Sequence, residues 1–247
     1  VIRRMIVASL TAGTLYAVSI AGLCALPANA GPSAEETPSR TSIAMRSSVG
    51  ASWGTENQYE SRGALSLSKL FLVDYALRHG DGSATDRDLG ERMIRFSDDG
   101  AASAMEGKYP QAIDAIAAEY GLGATRSGTG DWSTAITSSA DVADFLHAKQ
   151  LRDPSSLIFQ WMATAGETAA DGTVQNWGTA RLPGVLGTKW GWSDLGAPEV
   201  GSASYGTGFT VAAFTWGTAD DQTGDVLGAL PSVVVDVLGV SAWFAPR

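Results

Sequence analysis

The stretch RGALSLSKLFLVDYALRHG, residues 62–80, opens with two serines and a lysine and continues as an apolar run. Its spacing predicts a helix over residues 65–78, closed by His79 and Gly80. Leu70, Phe71, Leu72, Val73 and Leu77 make that helix apolar enough to be buried. Ser66 and Lys69 lie three residues apart and so share a helix face, which brings hydroxyl and amine within reach of each other. A lysine at the desolvated end of such a helix has its pKa lowered, and a neutral amine can take a serine's proton. The same four residues also describe a serine cap and a snorkelling lysine at the start of an ordinary core helix.

Further helices are expected over residues 86–96, 101–107 and 110–120, broken by SDDG, KYP and GLG. Ser138 or Ser139 caps another, ADVADFLHAKQ, and Pro154 suits the first position of PSSLIFQWMATA. After Thr179 come GVLGTKWGW, GSASYG and GFTVAAFTWG, short β-rich runs of an antiparallel meander. DVLGALPSVVVDVLGV is too long for one strand and reads as a helix. Residues 41–59 alternate poorly and read as one or two edge strands. No internal repeat is visible.

Residues 1–30 have the layout of a signal peptide: Arg3 and Arg4, an apolar run, then ALPANA with cleavage expected after Ala30. Membrane attachment would come only through an uncleaved form of that segment. Residues 31–40, GPSAEETPSR, read as a linker, and residues 41–247 as one domain, the 45% apolar content of the whole chain sufficing for a sizeable core. Cys24, the only cysteine, lies in the leader behind Leu23, which is too large for the usual lipidation signal. With only His79 and His147 besides, a metal site is improbable and no cofactor is expected. A net charge of −9 argues against nucleic acid as a partner.

In chain order, SLSK with Ser66 and Lys69, SDD with Ser97 and Asp99, and KWG with Lys189 resemble the SxxK, SDN and KTG signatures of the serine β-lactamase and penicillin-binding protein superfamily. The resemblance covers residues 41–217. It implies an α/β fold of the α+β kind, an antiparallel sheet from N- and C-terminal segments with a helical region inserted. It also implies roles. Ser66 would be the nucleophile, Lys69 its base and Ser97 the proton relay to the leaving group, while Lys189 would polarise Ser97 and attract a substrate carboxylate. The N–H groups of Ser66 and Trp192 would form the oxyanion hole, with Asp99, Thr188, Gly191 and Trp192 as substrate contacts. A monomer acting on a peptidoglycan-type peptide or a β-lactam is expected, outside the cytoplasm.

The chain departs from that pattern at three places. Asp99 stands where the family has Asn, so a donor becomes an acceptor whose charge favours a protonated Lys69. Trp190 replaces the hydroxyl residue of KTG, leaving Thr188 to compensate from the other side of Lys189. Ser97 follows Ser66 by only 31 residues, which implies a reduced, more open cleft. The loop GATRSGTGDWSTAIT lacks the ExxLN pattern that deacylates class A β-lactamases, and Asp131 is its only acid; Glu106, Glu119 and Glu167 do not match the motif. The favoured reading is acyl transfer on a D-alanyl peptide or related amide or ester in the cell envelope. β-Lactam hydrolysis and a non-catalytic binding protein on the same scaffold are the alternatives. GASWG at residues 50–54 fits a nucleophile elbow but is followed by no helix pattern, and GATRSGTG lacks the lysine of a phosphate loop. Trp190 and Trp192 could pack in the core or line a groove for peptide or sugar.

Overall fold

The computed structural model describes residues 37–229. The leader, most of the linker and most of the expected C-terminal helix lie outside the described residues. The chain begins with β1 (Thr41–Ser47) and β2 (Ser52–Gly54), and a short β3 (Arg62–Gly63) leads into a 3-10 turn, Leu65–Leu67, and α1 (Ser68–His79). Then follow α2 (Ala84–Phe96), α3 (Asp99–Lys108), α4 (Ala112–Tyr120), β4 (Ile136–Thr137), α5 (Ser139–Arg152) and α6 (Leu157–Ala163). Strands β5 (Val185–Trp192), β6 (Glu199–Gly206) and β7 (Phe209–Trp216) form the meander, and α7 (Ala219–Ala229) closes the described chain.

The main sheet is antiparallel in the order β2-β1-β7-β6-β5, and β3 pairs with β4 separately. The chain ends thus meet at β1 and β7, as the expected α+β architecture requires. One structural difference concerns β1. It lies between β2 and β7 with all seven residues buried, so of the two N-terminal strands only β2 is at an edge of the sheet. Ala44 and Phe214 join the large core shared with α1–α6, whereas Ile43, Met45, Val211 and Ala213 pack with Val226 and Ala229 of α7. A strand buried on both faces has no reason to alternate, which is why the sequence pattern there is weak. Ser52 of GASWG opens the exposed edge strand β2, not a strand-to-helix elbow.

A second difference lies at α6. Pro154 occupies a turn closed by Ser156 N–H to Asp153 O at 3.1 Å, and the helix starts at Leu157 with Ser156 as its cap. Proline fixes φ at a value that suits the second position of such a turn equally well. Ser138 caps α5 through Asp141 N–H at 3.1 Å.

Candidate active site

Ser66 sits in the 3-10 turn ahead of α1, so its N–H is among the early helical donors that have no intrahelical acceptor. Leu65 precedes it at φ +52°, a conformation that leucine seldom adopts. The other non-glycine residue with positive φ among the described residues is Ser97, at +56°. Backbone strain of this kind persists only where surrounding packing enforces it, and here both instances flank the same cleft.

SDD is a helix break in which each residue has its own task. Ser97 ends α2 in the left-handed conformation, with its N–H directed to Arg92 O. Asp98 caps α3 by accepting Ala101 N–H at 2.9 Å, and it pairs with Arg92 at 2.6 Å. Asp99 is the first residue of α3. This turn aims two Ser97 oxygens into the cleft, the carbonyl toward Lys69 at 2.6 Å and the hydroxyl toward Lys189 at 2.7 Å.

Lys69 Nζ donates to Ser66 Oγ at 2.7 Å and to Asp99 Oδ1 at 2.5 Å, and lies 4.3 Å from the centre of the Trp132 ring. The lysine is fully buried, while the Asp99 side chain is largely exposed. Burial lowers the Lys69 pKa; the hydrogen bond and charge of Asp99 oppose it, helped by Asp98 and Asp171, without cancelling it. Burial, reinforced by the charge of Lys69, pulls Lys189 well below the usual lysine range against Asp99 and Asp171.

Strand β5 forms the opposite wall. Lys189 and Gly191 project from one face of it, and Thr188 and Trp190 from the other. A Cβ on Gly191 would stand 2.7 Å from Ser66 N, so only glycine lets the strand approach the serine this closely. Ser193 N–H bonds to Glu199 O on β6, and alternation turns the Trp192 N–H to the free edge of β5, toward the cleft. The expected oxyanion pair is therefore sterically available.

Ser66, Lys69, Ser97, Lys189, Asp99, Gly191 and Trp192 are brought together. Thr188 is not: its hydroxyl lies 2.7 Å from Ser204 Oγ in a buried network with Thr179. Trp190 is likewise turned away, its indole N–H donating to Trp177 O at 2.9 Å, so of the two tryptophans only Trp192 lines the groove. Asp131 reaches the rim but accepts from Ser133 N–H and hydroxyl, at 3.0 and 2.5 Å, capping the turn Trp132–Thr134. Trp132 and Asp171 were not singled out in the sequence. Asp171 accepts from the Trp192 indole N–H at 3.1 Å, from a loop with no periodic signal. His79 pairs with Glu119 at 3.0 Å, and His147 lies on α5. Among the described residues no three His, Cys, Asp or Glu side chains gather as metal ligands, and no helix is long and apolar enough to cross a membrane.

No protein-family model and no curated protein matches the sequence. Solved structures do match. A β-lactamase from Sphaerobacter thermophilus superposes with a TM-score of 0.63 at 14% identity, over 87% of this chain and 95% of that one. A variant of the last common ancestor of Gram-negative class A β-lactamases, bound to 5(6)-nitrobenzotriazole, gives 0.61 at 19% identity, over 84% and 96%. Penicillin-binding protein D2 from Listeria monocytogenes, in its cefotaxime-bound form, gives 0.57 at 18%, over 79% and 95%. The chain therefore has the β-lactamase and penicillin-binding protein fold, the architecture its motifs led us to expect.

Proposed function

We propose that the chain is a serine acyl-transfer hydrolase of the penicillin-recognising kind, acting on a D-alanyl peptide or related amide or ester. The observation that carries this reading is the 2.7 Å contact between Lys69 Nζ and Ser66 Oγ, at the buried entrance to α1. Ser66 Oγ attacks the carbonyl carbon while Lys69, in its neutral form, takes the hydroxyl proton. Ser97, held by Lys189, returns a proton to the leaving nitrogen or oxygen, and the N–H groups of Ser66 and Trp192 stabilise the oxyanion. Water then hydrolyses the acyl-enzyme. The reading also places the protein in the cell envelope, exported by residues 1–30 and beginning at Gly31. N-terminal sequencing of exported protein tests that location, and a product retaining residues 1–30 in the membrane replaces cleavage with anchoring.

Asp99 against Lys69 favours a second reading, a non-catalytic peptide-binding protein with the lysine held as an ammonium. Intact-mass measurement after exposure to a panel of β-lactams and D-alanyl esters separates the two. Acyl transfer requires an adduct on the parent protein that is missing from Ser66→Ala; a folded parent that no panel member labels supports binding alone.

A further inference from the structure

Ser66 opens into a cleft of about 650 Å³. Among its lining residues are four aspartates, Asp99, Asp131, Asp171 and Asp194, and neither lysine nor arginine. Lys69 and Lys189 lie behind that surface, fully buried. Asp99 is paired with Lys69, but among the described residues Asp131, Asp171 and Asp194 belong to no ion pair. Hydrogen bonds from Ser133 hold Asp131 below the usual carboxylate range. Burial alone would raise Asp171, but bonds from Thr173 and the Trp192 indole hold it low as well. The field of Asp171 reaches both lysines, since it is among the influences raising the pKa of each.

A second observation points the same way. Trp190 occupies the position where the resemblance implies a carboxylate-binding hydroxyl, and it faces Trp177 on the far side of β5. The Thr188 hydroxyl is buried against Ser204. Lys189 Nζ donates to Ser97 Oγ and Trp190 O, each at 2.7 Å. Ser66 is thus flanked by negative charge, the hydroxyls implied for receiving an anion are absent or turned away, and Lys189 spends two of its three donors on Ser97 and Trp190.

We propose that this cleft selects an amide or ester that carries an ammonium group on its leaving side, and discriminates against one that carries a carboxylate there. The inference rests on Ser66 acyl transfer and narrows its substrate from D-alanyl peptides, which end in a carboxylate, to related cationic esters and amides. In the step concerned the Ser66 Oγ–acyl bond forms, the acyl–leaving-group bond breaks, and the serine proton ends on the departing heteroatom. Attraction between the ammonium and the exposed aspartates concentrates substrate at the cleft, and like-charge repulsion depletes a carboxylate.

Three phenylacetyl thioesters test this: those of 2-(trimethylammonio)ethanethiol, of its uncharged isostere 3,3-dimethylbutanethiol, and of 3-mercaptopropionate. Thiol release by the full chain should give kcat/KM in the order cation, neutral, anion, with about tenfold between the extremes at low salt. That ratio should shrink in about 0.5 M salt and in Asp171→Asn/Asp194→Asn, whose exposed positions leave the core intact. An anion used as well as the cation, or a ratio indifferent to salt and to the double variant, overturns the proposal. Binding of the same thioesters to Ser66→Ala, followed by tryptophan fluorescence, keeps the two readings separable. If no thioester acylates Ser66, the β-lactam and D-alanyl ester panel still decides acyl transfer, and the binding order decides the charge preference: tightest binding of the cation keeps it, and equal or tighter binding of the anion ends it.

Discussion

Lys69 is subject to two opposed influences, and under the proposed acyl transfer their balance would set the rate of acylation. Burial drives the amine toward its neutral form, and Asp99 at 2.5 Å holds a proton on it. Removing the carboxylate charge with Asp99→Asn lowers the Lys69 pKa further, so more of the amine is neutral at pH 7. Each unit is worth about 1.4 kcal/mol, and acylation of Ser66 is expected to rise by up to about tenfold per unit. The rising limb of the acylation pH profile should move to lower pH; an unmoved limb would show that the carboxylate takes part in the reaction. The loop expected to supply a deacylating base offers only Asp131, which is committed to Ser133 at the turn it caps. Positioned general bases contribute about 100- to 10,000-fold, so time-resolved mass spectrometry should show a β-lactam adduct accumulating on Ser66. Rapid multiple turnover with no detectable adduct would restore the β-lactamase alternative.

The break between α2 and α3 holds Ser97 and Asp99 in place through Asp98. Its cap on Ala101 N–H and its pair with Arg92 hold the carboxyl below its ordinary range against burial, which alone would raise it. A group whose folded pKa is depressed stabilises the fold above its unfolded pKa and loses that contribution as pH falls through the folded value. Asp98→Ala should therefore cost about 1 kcal/mol in urea unfolding at pH 7, with the difference narrowing in acid. The same break explains what was readable locally. SDDG interrupts a helical pattern visibly, and SxxK sets its two groups on one face through spacing alone, so both motifs could be read without a fold. Which way Thr188 and Trp190 point was not readable, because each side of β5 meets a different neighbour and no local pattern names it.

At the scale of the molecule, α1 must be fixed to the sheet for Ser66 to meet β5. Asp74 on α1 and Lys149 on α5 form a buried ion pair at 2.7 Å, and Arg78 approaches the same carboxylate at 2.8 Å. On its other side α5 packs against β1 and β7. Replacing Asp74 by Ala leaves Lys149 buried with only Asp153, at 3.1 Å, as a partner. Stranding one member of a buried pair costs about 3–5 kcal/mol, so Asp74→Ala should lower the unfolding midpoint strongly. A midpoint close to the parent's would show that Asp153 and solvent suffice to carry the lysine.

By itself the sequence determined the helices of residues 65–120, the C-terminal meander, and the pairing of Ser66 with Lys69, since each follows from spacing along a single element. The tertiary structure alone decided that β1 lies inside the sheet, that Thr188 and Trp190 turn away from the cleft, and that Trp132 and Asp171 border it, and it gave the expected contact of Lys189 with Ser97 its geometry. Those relations join residues far apart in the chain, Ser97 and Lys189 by 92 positions, and depend on which strands pair and which faces are covered. Periodicity records only that a residue is buried or exposed; the neighbour it meets is fixed when the layers close.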